Sequence, residues 1–330
     1  MSTEELIDET PSFDIKHVAD IALQLYGIEG EISPLNSFED QNFLIKTTSE
    51  KFVFKIANKR WTEDELSVQT LLFDHLQSAA PKIPWPLVIR STEGDAMTDI
   101  DGFYVRLLTF IEGNILADSK RNSELDYSLG KVLGQFSKAV QSFVHPVPER
   151  PNDLWNLDNV LDCKAFLDDV NDEATRERIE RFYKHYEKNV QPKIKGLRKA
   201  TIHGDANEQN ILVDKEDPTN IVGLIDFGDL QKATHINDLA IALAYALLDV
   251  EDIDSTVKEI INGYQSEFKI EADEFEVLFD LVAMRLISSI ILSSNRAKQF
   301  PDNLYILASQ KPAKALLKKL ETWKPLRLDR

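Results

Sequence analysis

Positive charge, cysteine and long apolar runs are all scarce in this sequence. Its 330 residues include 38 Lys and Arg against 56 Asp and Glu, which gives a formal net charge of −18. This balance disfavours nucleic-acid partners, because phosphate backbones recruit clustered lysines and arginines. The single cysteine, Cys163, excludes an internal disulfide framework and a thiolate zinc cluster.

Apolar runs are too short for a membrane protein. The longest uninterrupted run, 239–248, has ten residues, whereas a membrane-spanning helix needs about 20. The run therefore predicts a buried helix and no membrane partner. The first ten residues are acidic and lack an apolar core, unlike a secretory signal or an Arg-rich transit peptide. We expect a cytoplasmic protein, and the sequence leaves its oligomeric state open.

The general composition is that of a folded protein with more than one domain. Hydrophobic residues make up 43% of the chain and charged residues 28%, which excludes wholesale disorder. At about 150 residues per domain, the length predicts roughly two domains. Strand patterns dominate the first hundred residues, and helical patterns dominate from about residue 125. We expect an N-terminal nucleotide-binding lobe at 1–108, a connector at 109–113 and a catalytic, substrate-binding helical lobe at 114–330.

Local patterns predict a hairpin and a helix in the first lobe. Apolar residues alternate through 52–56, which predicts a strand, and 42–46 supplies its hairpin partner. Helical spacing follows at 66–76, and Thr62 with Glu65 has the form of a capping box at its start. The segment 103–108 predicts a further strand.

The second half reads as helices that flank one hairpin. Two short apolar runs, 211–213 and 221–225, are joined by a polar turn and predict the hairpin. Helical patterns cover 129–140, 164–190, 236–249, 253–268, 273–295 and 303–322.

A polar motif surrounds the predicted hairpin. His203-Gly-Asp-Ala-Asn-Glu-Gln-Asn210 precedes it, and Asp226-Phe-Gly228 follows it. Asp205 and Asn210 are separated by four residues, which is the spacing of the kinase catalytic loop. Phosphoryl transfer needs a carboxylate for the acceptor hydroxyl and oxygen ligands for Mg²⁺. Asp205 fits the first role, and Asn210 with Asp226 fits the second.

The alternative interpretation is that Asp205 and Asn210 are turn residues and that Asp226 caps a helix. Three elements in kinase order, joined by a hairpin, favour the phosphotransfer interpretation. His203 is expected to support the loop through hydrogen bonds rather than to react.

A kinase also needs a phosphate-binding lysine on a strand of its small lobe. Lys55 lies in the predicted strand, opposite its apolar face; the alternative is an ordinary solvent-exposed strand lysine. The loop 35–42 contains no glycine, which excludes a G-x-G-x-x-G loop and a P-loop. Backbone N–H groups, Ser37 and Gln41 would then have to contact the phosphates.

The motif of Asp205, Asn210 and Asp226 resembles that of the aminoglycoside phosphotransferase and choline kinase superfamily, a branch of the protein-kinase-like fold. Within it, the chain is most similar to the hydroxylysine kinase-like group, and the similarity covers about 15–322. The segments that carry the group-level resemblance are Leu35–Phe43, Val68–Thr70, His145–Pro146, Trp155–Leu157 and Asp226–Asp229.

The resemblance implies an α+β fold with two lobes, a small antiparallel sheet with one main helix and a larger helical lobe carrying the catalytic hairpin. It implies transfer of the γ-phosphate of ATP or GTP, with Mg²⁺, to a hydroxyl of a small amino acid or amine, and a hydroxylysine-like substrate is favoured. Carried over to this chain, Asp205 is the catalytic base, Asn210 and Asp226 are metal ligands, and Lys55 binds phosphate.

Three further positions follow from the resemblance. The small-lobe helix of this fold normally offers a glutamate to the phosphate-binding lysine, and superfamily spacing places Gln69 there. Glu65 lies one turn earlier but also completes the capping-box pattern, so we predict that Gln69 is nearer to Lys55. Thr109 and Ile111 of the connector should line the purine, without deciding between ATP and GTP.

Acceptor residues remain open at this stage. Asp229 is a candidate to face a substrate ammonium, Trp155 to form an apolar wall, and Arg285 to hold a substrate carboxylate. The alternatives are a surface carboxylate, a core aromatic and an internal salt bridge, with Asp280 or a distant residue; we favour these structural roles for Trp155 and Arg285. Other functions left open are a kinase for homoserine, choline or an aminoglycoside, and a silent nucleotide-binding pseudokinase.

Overall fold

Two units make up the chain, whose computed structural model describes residues 10–37, 40–300, 307 and 310–323. The units are Met1–Glu112 and Gly113–Arg330. Within the described ranges, no helix is both long and apolar enough to cross a membrane.

The first unit is built on an antiparallel sheet. Its strands are β1 (Glu31–Leu35), β2 (Gln41–Lys46), β3 (Lys51–Ile56), β4 (Val88–Ile89), β5 (Thr98–Ile100) and β6 (Phe103–Thr109). The order is β1-β2-β3-β6-β4, and β5 pairs with β6. Its helices, among the described residues, are α1 (Ile15–Tyr26) and α2 (Glu63–Ala79).

Strand alternation separates the core of this unit from its functional face. Phe43 pairs with Phe54 across the predicted hairpin, and both side chains are buried with Leu107 of β6 in one apolar cluster. Lys55 alternates with these residues and pairs with Arg106 of β6. Because side chains of paired residues share a face, Lys55 and Arg106 lie together on the face opposite this cluster.

Helix α2 begins as the sequence predicts. The Thr62 hydroxyl oxygen accepts from the Glu65 N–H, and the Glu65 carboxylate accepts from the Thr62 N–H, which confirms the capping box. The expectation of one main helix is incomplete, because α1 packs its buried face into the sheet core. Its signals were an Asp14 N-cap and Gly27, which has a left-handed φ of 65° at the C-terminus.

Helices dominate the second unit, as expected, and short strand pairs interrupt them. The helices are α3 (Ser123–Ala139), α4 (Glu173–Asn189), α5 (Gln191–Ile194), α6 (Asn237–Ala246), α7 (Ile253–Gln265), α8 (Ala272–Gln299) and α9 (Gln310–Leu320). The strands are β7 (Asn114–Ile115), β8 (Lys199–Ile202), β9 (Ile211–Val213), β10 (Ile221–Leu224) and β11 (Gln231–Thr234). Strands β9 and β10 form the predicted hairpin, β7 pairs with β9, and β8 pairs with β11.

One predicted helix is wrong at its start. The segment expected to be helical over 164–190 divides into a run of 3₁₀ turns, Leu157–Asp169, and helix α4. The division falls where the Asp172 carboxylate accepts from the Thr175 N–H and starts a new helix. The predicted helix 303–322 lies partly outside the described residues, and its described part contains α9.

Helices α3 and α7 pack backbone against backbone. A Cβ on Gly130 would lie 1.8 Å from the carbonyl oxygen of Ile260, and one on Gly263 would lie 1.9 Å from that of Tyr127. Since both obstacles are main-chain atoms within helices, neither can move aside alone. A side chain at either glycine therefore forces the two helices apart.

We predict that Gly263→Ala lowers the free energy of unfolding by about 1–3 kcal/mol or more, because it overpacks this contact. Urea unfolding followed by circular dichroism measures the change. Gly196→Ala is the matched control, since its Cβ would meet its nearest atom at an ordinary 3.5 Å. Equal stability of the two variants would contradict the contact described here.

Candidate active site

The loop between β8 and β9 carries the candidate base, and a buried carboxylate holds its first turn. Asp238 of α6 accepts the N–H of His203 at Oδ2 (2.7 Å) and the N–H of Gly204 at Oδ1 (2.9 Å). Burial raises the pKa of Asp238 from its ordinary value, while the two backbone donors act in the opposite direction. Asp238 thus pins the backbone immediately before Asp205, a role that the sequence analysis missed.

Gly204 is required by both space and backbone conformation. Its φ is +83°, and a Cβ there would lie 2.3 Å from the carbonyl oxygen of Asp229. The loop therefore passes directly against the chain segment that follows Asp226.

His203 links the loop to the residues on both sides of Asp226. The N–H of Asp205 donates to Nδ1 (3.2 Å), so Nε2 carries the proton and donates to the carbonyl of Ile225 (3.0 Å). The ring also packs against Phe227, with 4.5 Å between ring centroids. These bonds confirm the supporting role expected for His203.

Both carboxylate oxygens of Asp205 are held. Oδ2 accepts from Nδ2 of Asn207 (2.7 Å) and from Nδ2 of Asn210 (3.0 Å), and Oδ1 accepts from Nη2 of Arg285 (2.7 Å). The Asn210 amide also donates to the main-chain oxygen of Asp205 (2.9 Å). Because its nitrogen makes these bonds, its oxygen Oδ1 points away from Asp205 and is oriented for another partner.

The hairpin brings Asp226 beside Asn210. The N–H of Ile225 donates to the main-chain oxygen of Asn210 (2.9 Å), which places the next residue, Asp226, next to the loop end. Asp226 is exposed and has φ 60° and ψ 74°, a left-handed conformation that non-glycine residues adopt infrequently.

The carboxylates here leave an excess of negative charge. Burial, together with the negative charges of Asp205, Asp153 and Asp226, raises the pKa of Asp229 to about 7, against the opposing effect of Arg150, whose Nη1 lies 4.0 Å from the carboxylate. A divalent cation would offset this charge, and the oriented amide oxygen and exposed carboxylate described above are ligands that Mg²⁺ prefers. The described residues contain no group of three His, Cys, Asp or Glu placed to hold a metal. Two protein ligands would leave the other positions of an octahedral Mg²⁺ ion to oxygens such as those of phosphate.

Arg285 lies within α8 and forms an internal salt bridge, as favoured. Its partner is Asp205, which is distant in sequence, and not Asp280, whose carboxylate lies 3.2 Å from His185. Nη1 of Arg285 donates to the carbonyl of Trp155 (3.1 Å). Trp155 is 37% exposed, so the expectation of a core aromatic is wrong.

Tyr245 is a site residue that the sequence analysis did not find. Its ring centroid lies 5.4 Å from the guanidinium carbon of Arg285, and the ring of Trp155 lies 4.9 Å from the same carbon. The signal was obscured because Tyr245 falls inside the apolar run 239–248, which reads as core.

In the first unit, Lys55 is 8% exposed, so the alternative of a solvent-exposed strand lysine is wrong. Its Nζ lies 3.9 Å from Oδ2 of Asp40. The other oxygen of Asp40 accepts from the Asn58 N–H (3.0 Å) and from Nε1 of Trp61 (3.1 Å), so this carboxylate is held in place.

The amide oxygen of Gln69 accepts from Nη1 of Arg106 (3.0 Å). That Gln69 rather than Glu65 is the residue nearer to Lys55 stays a prediction. Arg106 is the cross-strand neighbour of Lys55 and is buried, so Gln69 faces the neighbouring strand. The register of helix α2 therefore brings Gln69 to the strand pair on which Lys55 and Arg106 are neighbours.

The sequence analysis predicts that Gln41 contacts a phosphate, but its side chain is bound to the main chain of Phe13 instead. Its Oε1 accepts from the N–H of Phe13 (2.8 Å), and its Nε2 donates to the Phe13 carbonyl (2.9 Å). Ser37 of the same loop is exposed, whereas Phe38 and Glu39 lie outside the described residues.

The connector residues are fixed by strand-like pairing. The N–H of Thr109 donates to the carbonyl of Leu87 (2.9 Å), and the Thr109 hydroxyl oxygen accepts from the Leu87 N–H (3.0 Å). Ile111 is buried. The pairing leaves the side chain of Thr109 engaged within the first unit.

Comparison with known proteins identifies the family. The model of a phosphotransferase enzyme family, APH, matches residues 31–275. The chain belongs to this family. A hydroxylysine kinase from Mus musculus is 27% identical over 322 residues, which cover 89% of this chain and 85% of the relative. A homoserine kinase from Zymomonas mobilis is 27% identical over 285 residues, which cover 80% of this chain and 82% of the relative.

A solved structure supports the predicted fold. An amicoumacin kinase in complex with AMP-PNP, Ca²⁺ and Ami superposes with a TM-score of 0.71 over 98% of this chain and 97% of that chain, at 16% identity. The family and this likeness confirm an α+β, protein-kinase-like fold and the phosphotransferase class.

We predict that Asp238→Asn loosens the loop without removing any group of the candidate site. The amide turns one acceptor into a donor that faces a backbone N–H, so the free energy of unfolding should fall by about 1.5–3 kcal/mol. Urea unfolding measures this change. The control is Asp118→Asn at an exposed position, whose free energy of unfolding should lie within about 0.5 kcal/mol of that of the parent. An unchanged Asp238→Asn variant would show that the two bonds do not hold the loop.

Proposed function

We propose that this chain is a small-molecule kinase that transfers the γ-phosphate of a nucleoside triphosphate to a hydroxyl of an amino acid or amine, with a hydroxylysine-like acceptor favoured. The observation that carries the proposal is the loop geometry. Asp205 is held at both oxygens and tied through His203 to the segment that ends in Asp226. Kinase relatives named for hydroxylysine and for homoserine, which are hydroxylated amino acids, support the acceptor class.

In this proposal Asp205 accepts the proton of the acceptor hydroxyl. Oδ2 already receives two donors, whereas Oδ1 receives one from Arg285. A carboxylate oxygen has two lone pairs, so Oδ1 keeps one for the hydroxyl. The hydroxyl oxygen then attacks the γ-phosphorus, and the nucleoside diphosphate leaves.

Asn210 and Asp226 would hold Mg²⁺ through the amide oxygen and the carboxylate. The bound ion would supply positive charge to the phosphates. Lys55 would bind a phosphate oxygen; its position beside the anchored Asp40 restrains the side chain. We propose Thr109 and Ile111 as neighbours of the purine, with ATP and GTP both open as donors. A cytoplasmic location and these residue roles stay predictions.

A coupled turnover screen tests the function. Hydroxylysine, homoserine, choline and an aminoglycoside are each offered with ATP and with GTP, in Mg²⁺ and in excess chelator. We expect turnover of a hydroxylated amino acid that the chelator abolishes. Efficient turnover of the aminoglycoside alone would replace the acceptor class, and binding of nucleotide without any turnover would favour a silent pseudokinase.

We predict that Asp205→Asn and Asp226→Ala fail in different ways. Asp205→Asn should lower kcat by about 10²–10⁴-fold, the usual contribution of a general base, while nucleotide binding is retained. Asp226→Ala should weaken Mg²⁺-nucleotide binding, because a direct ligand is lost. Steady-state kinetics and calorimetry separate the two.

The control for both variants is Asp217→Asn, in the exposed turn of the same hairpin, which should behave as the parent. A parental kcat for Asp205→Asn would exclude it as the base.

A further inference from the structure

A buried cation adjoins the proposed base. Arg285 is 2% exposed and comes from the middle of α8, 80 residues along the chain from Asp205. A buried guanidinium strongly destabilises the folded state unless it is paired and hydrogen-bonded. Packing alone therefore does not explain why a charged side chain occupies this position beside Asp205.

The guanidinium is restrained on several sides. One terminal nitrogen donates to Asp205 and the other donates to the carbonyl of Trp155. The rings of Trp155 and Tyr245 lie within cation–π distance, 4.9 and 5.4 Å from its central carbon. A planar group held by two bonds and two rings has little freedom to rotate or shift.

The bond from Arg285 differs in origin from the other bonds to this carboxylate. Asn207 and Asn210 belong to the same loop as Asp205, so their amides move with it. Arg285 connects the carboxylate to a helix of the core instead. Since the terminal torsion of an aspartate is broad, a donor from outside the loop is what fixes the plane of the carboxylate relative to the rest of the unit.

We propose that Arg285 is a positioning residue that sets the orientation of the Asp205 carboxylate, and that it is not an anchor for a substrate carboxylate. The proposal rests on the proposed function, in which Asp205 receives the hydroxyl proton. With Oδ2 filled by the two amides and one side of Oδ1 filled by Arg285, the remaining lone pair of Oδ1 has a defined direction. Each terminal nitrogen of Arg285 already donates one bond, and an acceptor carboxylate bound there would lie against Asp205 and be repelled by it.

The test compares two acceptors that differ in the carboxylate. Arg285→Met and Arg285→Lys are assayed with hydroxylysine and with 1-amino-2-propanol, which carries a hydroxyl and an amine but no carboxylate. We expect Arg285→Met to lower kcat about 10²-fold with each acceptor, the loss that a misplaced reacting group produces, with little change in KM for acceptor or nucleotide. Arg285→Lys should recover part of this loss, because it restores a cation.

A chemical rescue keeps the test decisive if a variant is unstable. Added guanidinium ion, at concentrations that leave the parent fully active, should restore part of kcat to Arg285→Ala and none to Asp205→Asn. Arg296→Met removes a charge farther along α8 and is the matched control, with parental kcat expected.

The opposing outcomes are distinct. A loss confined to hydroxylysine would make Arg285 a carboxylate anchor and overturn the proposal, as would a parental kcat in Arg285→Met. A parent enzyme that turns over neither of these acceptors, nor any acceptor of the turnover screen, overturns the proposed function itself, and the positioning role with it.

Discussion

The arrangement of the candidate site depends on two hydrogen bonds that main-chain N–H groups donate to one buried carboxylate. Asp238 receives the N–H groups of His203 and Gly204, and this fixes the direction in which the loop leaves β8. With the backbone fixed, the His203 ring can reach the carbonyl of Ile225, and the segment containing Asp226 is tied to the loop. The charged groups thus depend on a scaffold of neutral main-chain donors. That scaffold lies in the second unit and is complete within it.

Each unit contains charged side chains that are buried at its candidate functional residues. In the first, Lys55 and Arg106 lie side by side on one face, with Asp40 and Gln69 as neighbours that accept hydrogen bonds or offset charge. In the second, Arg285 and Asp238 are buried with their partners. Apolar residues of similar size would pack in these places at less desolvation cost. These clusters differ from the surrounding core because they hold charged side chains at buried positions where apolar side chains would cost less desolvation.

Patterns confined to a few neighbouring residues predicted the structure well. The β2–β3 and β9–β10 hairpins, the capping box of α2 and the spacing of Asp205 and Asn210 depend on local geometry, which the sequence expresses directly. Partners across the fold were harder to predict. The bonds from Arg106 to Gln69 and from Arg285 to Asp205 each join residues that are far apart in the sequence. Such pairs depend on how distant elements pack, and neighbouring strands can present two equivalent cations to one helix.

The left-handed backbone of Asp226 limits which residues that position can accept. Among residues other than glycine, asparagine and aspartate visit this conformation most readily, because their short polar groups bond locally. They are also the short side chains that present an oxygen ligand to a hard cation. Backbone geometry and coordination chemistry therefore select the same pair of residues, and only one of the pair brings a negative charge. Glycine would satisfy the backbone and remove the proposed ligand, and glutamate would keep a carboxylate and strain the backbone. Position 226, two residues beyond the end of β10, thus accepts few side chains if it is to keep both this backbone conformation and the proposed metal ligand.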